Sequence, residues 1–225
     1  MKVLIGTTNP SKAEWLGGLI GAEAELLTLS ALNILDEPAE TGKTPSENAA
    51  IKAEFYGKIF RPVVCHDSGL YFAELPLDDP RQPGLHVRTP NGRERFRTDE
   101  EMLEYYVELI RSLGGTVTAM YLNGFAVFSD GRLGTHAESM AAAVGGAFIM
   151  TDRPAASRHP GWPLDSISVR LNSGLYFTGE PYCGSVPQAL PDFGGGKPMS
   201  IEDVERIKRE SDAALRAFLR GALGL

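Results

Sequence analysis

Pro62-Val63-Val64-Cys65-His66-Asp67-Ser68-Gly69-Leu70 is the segment from which the fold of this 225-residue chain is best read. Pro62 to Cys65 is a short apolar run, the pattern of a strand buried on both faces. The run stops at a carboxylate followed by a hydroxyl and a glycine, which reads as a short loop. In open α/β sheets ligands bind outside the carboxyl ends of the strands, so Asp67 is the first candidate for chemistry. An Asp before Ser-Gly is also ordinary turn chemistry, and the segment alone leaves both readings open. His66 alternates with Asp67 along the chain and is expected to point to the opposite side, as a structural histidine rather than a ligand.

Upstream, Val3-Leu4-Ile5 is a second buried strand, and a helix follows at once. Asn9 suits an N-cap, Pro10 the first helical position, and Ser11 with Glu14 has capping-box spacing. Trp15, Leu16, Leu19 and Ile20 form the apolar face, and Gly21 ends the helix. A helix N-terminus offers free N–H groups and a favourable dipole to an anion. Thr7, Thr8, Asn9 and Ser11 add side-chain donors there, and Lys12 adds a positive charge. The glycine spacing of a Walker loop is absent. A well-capped helix with a solvated lysine explains this segment equally well. Leu26 to Leu29 is a short strand, and Asp36 to Gly42 an acidic loop. A helix is expected from near Ser46 to about Phe60, with Ala49, Ala53, Tyr56 and Phe60 on one face. Glu47, in its first turn, reads by itself as an electrostatically favoured position, and Asn48 as a capping residue.

Downstream, residues 73–97 are rich in Pro, Gly and charge and read as an irregular excursion. Thr98 and Glu101 open a helix carrying Met102, Leu103, Tyr106, Val107, Ile110 and Leu113, stopped by Gly114-Gly115. Val117 to Phe128 is strand-like, and Asp130-Gly131 signals a hairpin whose return strand covers roughly residues 133–149. Residues 151–198 are dense in Pro and Gly, with a strand around Ile167–Leu171. A last helix opens at Ser200 with Asp203. Strands and helices alternate first, then a long hairpin and a closing helix follow. The chain is therefore expected to be α/β, a mixed twisted sheet flanked by helices, in two lobes of one domain (1–225) with a central substrate cleft.

Hydrophobic residues make up 43% and charged residues 23% of the sequence, which fits a packed core. A net charge of −7 argues against bulk nucleic-acid or anionic-membrane binding. Cys65 and Cys183 are too few for a disulfide framework. The apolar start is too short for a signal peptide or membrane span, so a cytoplasmic protein is expected.

Taken together, these segments resemble the inosine triphosphate pyrophosphatase family. Thr7-Thr8-Asn9-Pro10-Ser11-Lys12 is similar to its phosphate loop, a Thr-x-Asn-x-x-Lys pattern. Glu40 to Ala53 is similar to its second motif, and Asp67-Ser68-Gly69-Leu70 to its third. Pro83-Gly84 and Asn91-Gly92 resemble its Pro-Gly loop and the glycine that closes it. The resemblance implies an elongated two-lobed fold, usually a homodimer. It also implies Mg²⁺-dependent hydrolysis of non-standard purine triphosphates (ITP, XTP, dITP) to the monophosphate and pyrophosphate, with Mn²⁺ as an alternative metal. By position, Thr7, Thr8, Asn9 and Lys12 would hold the triphosphate. Glu47 and Asp67 would serve the metal and Asp67 the attacking water, while Ser68 would contact substrate.

The departures lie around these residues. His66 stands where the family has a second Asp. Its Phe-Gly-Tyr-Asp motif corresponds to Pro160-Gly161-Trp162-Pro163-Leu164-Asp165. There Trp162 would stack on the base and Asp165 match the family's Asp, although a Trp-Pro packing turn explains the segment equally. The Ser-His-Arg that reads the purine would fall on Arg209-Glu210-Ser211. Two alternatives therefore stand beside a purine pyrophosphatase: a catalytically weak nucleotide-binding protein on the same fold, and a pyrophosphatase of altered specificity.

Overall fold

The computed structural model describes residues 1–190 and 198–225, without the side chain of Ser11, so the Ser11–Glu14 capping box lies outside it. In chain order the elements are β1 (Lys2–Ile5), α1 (Pro10–Ile20), β2 (Glu25–Thr28), α2 (Pro45–Tyr56), β3 (Val63–Phe72), α3 (Asp99–Ser112), β4 (Thr116–Ser129), β5 (Arg132–Ala137), α4 (Met140–Ala143), β6 (Phe148–Thr151), β7 (Ser168–Arg170), β8 (Ala189–Leu190), β9 (Met199–Ser200) and α5 (Ile201–Leu223). Among the described residues, seven strands form one sheet in the order β2-β1-β3-β4-β6-β7, with β5 also paired to β4. β1 is parallel to β2 and β3, whereas β4 is antiparallel to β5 and β6, and β6 to β7. The sheet is mixed and flanked by helices, as the alternation of elements suggests.

Contacts divide the chain into two compact units. The first comprises Met1–Ser68, Leu122–Ser139 and Arg209–Leu225. Its strands alternate side chains between two faces, and the sequence supplies a helix for each. Val3, Ile5, Val64, Phe125 and Val127 pack against Leu16 and Ile20 of α1 and Leu215, Leu219 and Leu223 of α5. Leu4, Val63, Cys65 and Ala126 pack against Ala49, Ala53 and Tyr56 of α2. Each fully buried Leu or Ile is worth about 1.5–3 kcal/mol relative to exposure. Gly124 lets the start of α2 lie directly on β4, because a Cβ there would collide with the backbone of Pro45 and Ser46. Arg216 and Arg220 of α5 donate to the carbonyls of Gly18 and Ile20, both at 3.1 Å, satisfying the C-terminus of α1.

The second unit comprises Gly69–Tyr121 and Met140–Lys208. Met102, Leu103, Tyr106 and Ile110 of α3 bury against Leu70, Phe72, Val117, Ala119, Phe148 and Met150. Ile149 and Val169 form a smaller core with Ala155 and Tyr176.

Four expectations are corrected. Asp67 does not lie in a loop: β3 continues to Phe72. The extension lies beside β4 in the sheet, and near its end Leu70 and Gly84 exchange N–H···O bonds of 2.9 and 2.8 Å. Helix α2 starts one residue before Ser46, with Thr44 as N-cap and Pro45 in its first turn, and it ends at Tyr56 rather than Phe60. Gly57, a poor helix former packed close to Phe128, takes the C-cap. Residues 133–149 are not one strand, because Met140-Ala141-Ala142-Ala143 prefers a helical turn and separates β5 from β6. Trp15 does not belong to the buried face of α1 and remains 43% exposed.

Candidate active site

Asp67 is 9% exposed and sits on the same face of β3 as Cys65, towards α2. Two residues of α2, one turn apart, reach it. Asn48 Nδ2 donates to Asp67 Oδ2 at 2.9 Å, and Lys52 Nζ donates to Asp67 Oδ1 at 3.1 Å. Lys52 also pairs with Glu40 Oε1 at 2.6 Å. Burial works against the Lys52 charge, but the Asp67 and Glu40 carboxylates outweigh it and its pKa is raised. Asn48 is in turn fixed by its Oδ1, which accepts from the Gly42 N–H at 2.8 Å. The carboxylate of Asp67 is therefore held in one orientation by two donors.

Ser68 and His66 alternate with Asp67 and belong to the other face of β3. Lys12 Nζ donates to Ser68 Oγ at 3.5 Å. Lys12 lies in the first turn of α1, where Asn9 Oδ1 accepts from the Lys12 N–H at 3.3 Å and Thr7 Oγ1 from the Asn9 N–H at 3.2 Å. Asn9 is thus the N-cap expected of it. Thr8, in the same turn, is exposed. The structure brings Lys12 to Ser68, and Asn48 and Lys52 to Asp67.

His66 is 4% exposed and packs against Trp15 and Phe125, with ring centroids 5.1 and 4.8 Å away. Its Nε2 lies 3.0 Å from Asn123 Oδ1, an acceptor, so Nε2 carries the proton. Asn123 is locked by Glu138, whose Oε2 accepts from its Nδ2 at 2.8 Å, and Ser211 Oγ donates to Glu138 Oε1 at 3.2 Å. Burial lowers the His66 pKa well below its usual value, and the Lys12 charge adds to this. His66 is a neutral, packed ring, and its Nδ1 has no hydrogen-bond partner among the described residues. Burial also pushes the Cys65 thiol up to about 12, as befits a core residue.

Glu47 is exposed, and its Oε2 accepts from the Lys43 N–H at 2.7 Å. Among the described residues, no three His, Cys, Asp or Glu side chains are grouped to hold a metal alone. Mg²⁺ bound together with phosphates needs only one or two protein carboxylates. Asp67 fits that demand: each of its oxygens accepts one hydrogen bond and keeps a further lone pair.

Trp162 and Asp165 belong to the second unit. Asp165 Oδ2 is paired with His159 Nδ1 at 2.8 Å. Burial raises the Asp165 pKa, with His159 pulling the other way.

Sequence reasoning missed the parts played by Asn48, Lys52 and Glu40. The available signal was the i, i+4 spacing of Asn48 and Lys52, which puts an amide and an ammonium on one face of a helix beside the carboxylate strand.

A dITP/XTP pyrophosphatase of Thermoanaerobacter pseudethanolicus is 36% identical over 88 residues, 38% of this chain and 42% of that protein. The chain thus spans less than half the length of that relative. A dITP/XTP pyrophosphatase of Thermus thermophilus is 33% identical over 157 residues, 68% of this chain and 70% of that protein. Among solved structures, the Ham1 protein of Staphylococcus aureus superposes with a TM-score of 0.56 at 19% identity, covering 98% of this chain and 99% of that one. A HAM1 protein from Coxiella burnetii gives 0.56 at 18% identity, covering 99% and 96%. These structures share the fold. The family model described as Ham1 family matches residues 3–149, which include the Thr7–Lys12 segment, α2 and the whole of β3, and the chain belongs to the Ham1 family.

Proposed function

We propose that this protein hydrolyses non-standard purine nucleoside triphosphates, of the ITP, XTP and dITP type, to the monophosphate and pyrophosphate. The observation that carries the reading is the Asp67 carboxylate, nearly buried and held between Asn48 and Lys52, in a chain with relatives named dITP/XTP pyrophosphatase. Water attacks phosphorus in line; its oxygen forms the new P–O bond, and the bond to the leaving pyrophosphate breaks. Asp67 orients that water and takes its proton on a carboxylate oxygen. Lys52 and Asn48 fix the carboxylate so that no reorientation is needed at the moment of reaction. Lys12 and the N-terminus of α1, with Thr7, Thr8, Asn9 and Ser68, bind the polyphosphate charge. Asp67 and Glu47 would hold Mg²⁺ (or Mn²⁺), which when bound neutralises charge on the phosphate oxygens. Trp162 and Asp165 complete the proposal as contacts to the base. A homodimer goes with this reading, as the resemblance implies, and so does the cytoplasmic location expected from the short apolar start of the chain.

The test is pyrophosphate release from ITP, XTP, dITP, ATP, GTP, CTP and UTP with Mg²⁺ or Mn²⁺. Asp67→Asn should lower kcat by about 10²–10⁴-fold, the usual contribution of a positioned base. Near-normal turnover in that variant overturns the mechanism. The packed, neutral His66 at the position of a second carboxylate favours one other reading, a nucleotide-binding protein of weak activity. Tight calorimetric binding of ITP without turnover in either metal would select it.

A further inference from the structure

In the second unit, Leu70, Phe72, Val117 and Ala119 point into the core that α3 covers. Tyr71 and Met120 alternate with these residues along β3 and β4 and so belong to the opposite face of the sheet. A cleft of about 340 Å³ opens there. Tyr71, Glu74, Leu75, Leu77, Met120 and Met140 line it, and every residue of its lining belongs to the second unit. The volume is that of a small-molecule site.

The wall of the cleft is fixed by hydrogen bonds of its own. The Gln82 side chain accepts from the Phe72 N–H at 2.8 Å and donates to the carbonyls of Phe72 and Leu75 at 2.8 and 3.0 Å, standing in for a neighbouring strand. The Ala73 N–H donates to Thr118 O at 2.8 Å, and Glu74 Oε1 accepts from the Thr118 N–H at 2.7 Å. One oxygen of Glu74 is thus held on β4. Its Oε2 and the Tyr71 hydroxyl bond to no described residue.

Glu74 is the one charged residue in the lining. Arg81, the cation nearest to it in sequence, is taken up by Asp79, with Nε and Nη2 at 2.9 and 2.7 Å from the two carboxylate oxygens. Asp78, beside Leu77 in the chain, is exposed and adds negative charge. Leu77 itself is 65% exposed, more than any other large apolar side chain described in this unit. Open apolar surface next to a held carboxylate without a counter-ion is the pattern of a recognition site.

We propose that this cleft binds an organic ammonium ion with an aromatic body. The ammonium pairs with Glu74 Oε2. The ring lies against Tyr71 and the thioethers of Met120 and Met140, which are soft, adaptable partners for an aromatic surface. Leu77 covers it from the rim. A carboxylate of the same shape meets Glu74 and Asp78 as like charges and is rejected. Asp67 belongs to the first unit, so the proposal stands or falls independently of the hydrolase reading.

The experiment is a titration of the full chain, carrying ¹³C-methyl methionine, followed by nuclear magnetic resonance. Met120→Leu and Met140→Leu assign the two reporter methyls, and the core residues Met102 and Met150 serve as internal controls. The probes are phenethylamine and, as an anion of similar shape, 3-phenylpropionate. Phenethylamine should shift the Met120 and Met140 signals to saturation and leave those of Met102 and Met150 in place, whereas 3-phenylpropionate should shift none. Glu74→Gln keeps an oxygen for the Thr118 N–H and should lower the phenethylamine affinity about fivefold, the upper worth of an exposed ion pair. Absence of a saturable shift, equal response to both probes, or unchanged affinity in a Glu74→Gln variant of unaltered circular dichroism overturns the proposal. Movement of the same two signals on dilution of the chain alone makes a second copy the occupant and overturns it as well.

Discussion

At the scale of single residues, Lys52 is the side chain on which the site depends most. The Lys52 and Asp67 side chains are 14% and 12% exposed, so removing either leaves its partner largely shielded from water. Lys52→Met should cost about 3 kcal/mol in urea denaturation, the lower end for breaking a buried pair. It should also reduce turnover, because Asp67 loses one of the two donors that hold it and keeps Asn48. His66 gives a pH-dependent expectation. Its folded pKa is depressed, first by burial and then by Lys12, so the unfolded chain takes up a proton that the folded chain lacks. Stability should therefore fall as pH drops below about 6.5, by up to about 1.4 kcal/mol per unit. His66→Gln should flatten that slope; an unchanged slope would show that other groups set it. The roles of Asp67 and Lys12 could be proposed from the chain, since each sits in a segment with a legible pattern. The role of Lys52 could not, because it depends on a helix face meeting a strand, and that register exists only after folding.

At the scale of elements, the sequence was clearest where local chemistry decides. Asn9 and Thr98 cap the helices they were expected to cap, accepting from the N–H groups of Lys12 and Glu101. Thr44 caps α2 in the same way, through the Glu47 N–H at 3.1 Å. Thr44→Ala should cost about 1 kcal/mol by thermal denaturation, and part of the loss should appear as weaker Mg²⁺-ITP binding as the first turn frays around Glu47 and Asn48. Local reading failed where a distant segment decides. β3 runs on through Asp67 because β4, some fifty positions further along the chain, is its neighbour in the sheet, and Gly84, fourteen positions beyond Leu70, bridges its far end. Gly124 is a similar case, unremarkable in sequence and required by the backbone of α2. Gly124→Ala should destabilise by about 1–3 kcal/mol, the usual range for overpacking. A variant as stable as the parent would mean that α2 can move away from β4 at no cost.

At the scale of the whole molecule, the mixed sheet followed from the order of elements, whereas the composition of the two units did not. Each unit is assembled from segments far apart in sequence, and hydrophobic periodicity within a segment says nothing about which distant segment covers it. Among the described residues no helix is long and apolar enough to cross a membrane. The proposed homodimer is checked by light scattering, where a mass twice the 24.3 kDa of the chain is expected. Helix α5 has one more consequence. Its Leu215, Leu219 and Leu223 close the core over β1 and α1, yet they emerge from the ribosome after every other part of the first unit. At common synthesis rates the first 68 residues wait on the order of ten seconds for that cover. During that interval Val3, Ile5 and Leu16 have one another and Val64 but lack the cover that α5 supplies, so the growing chain exposes apolar surface of the kind a chaperone shields.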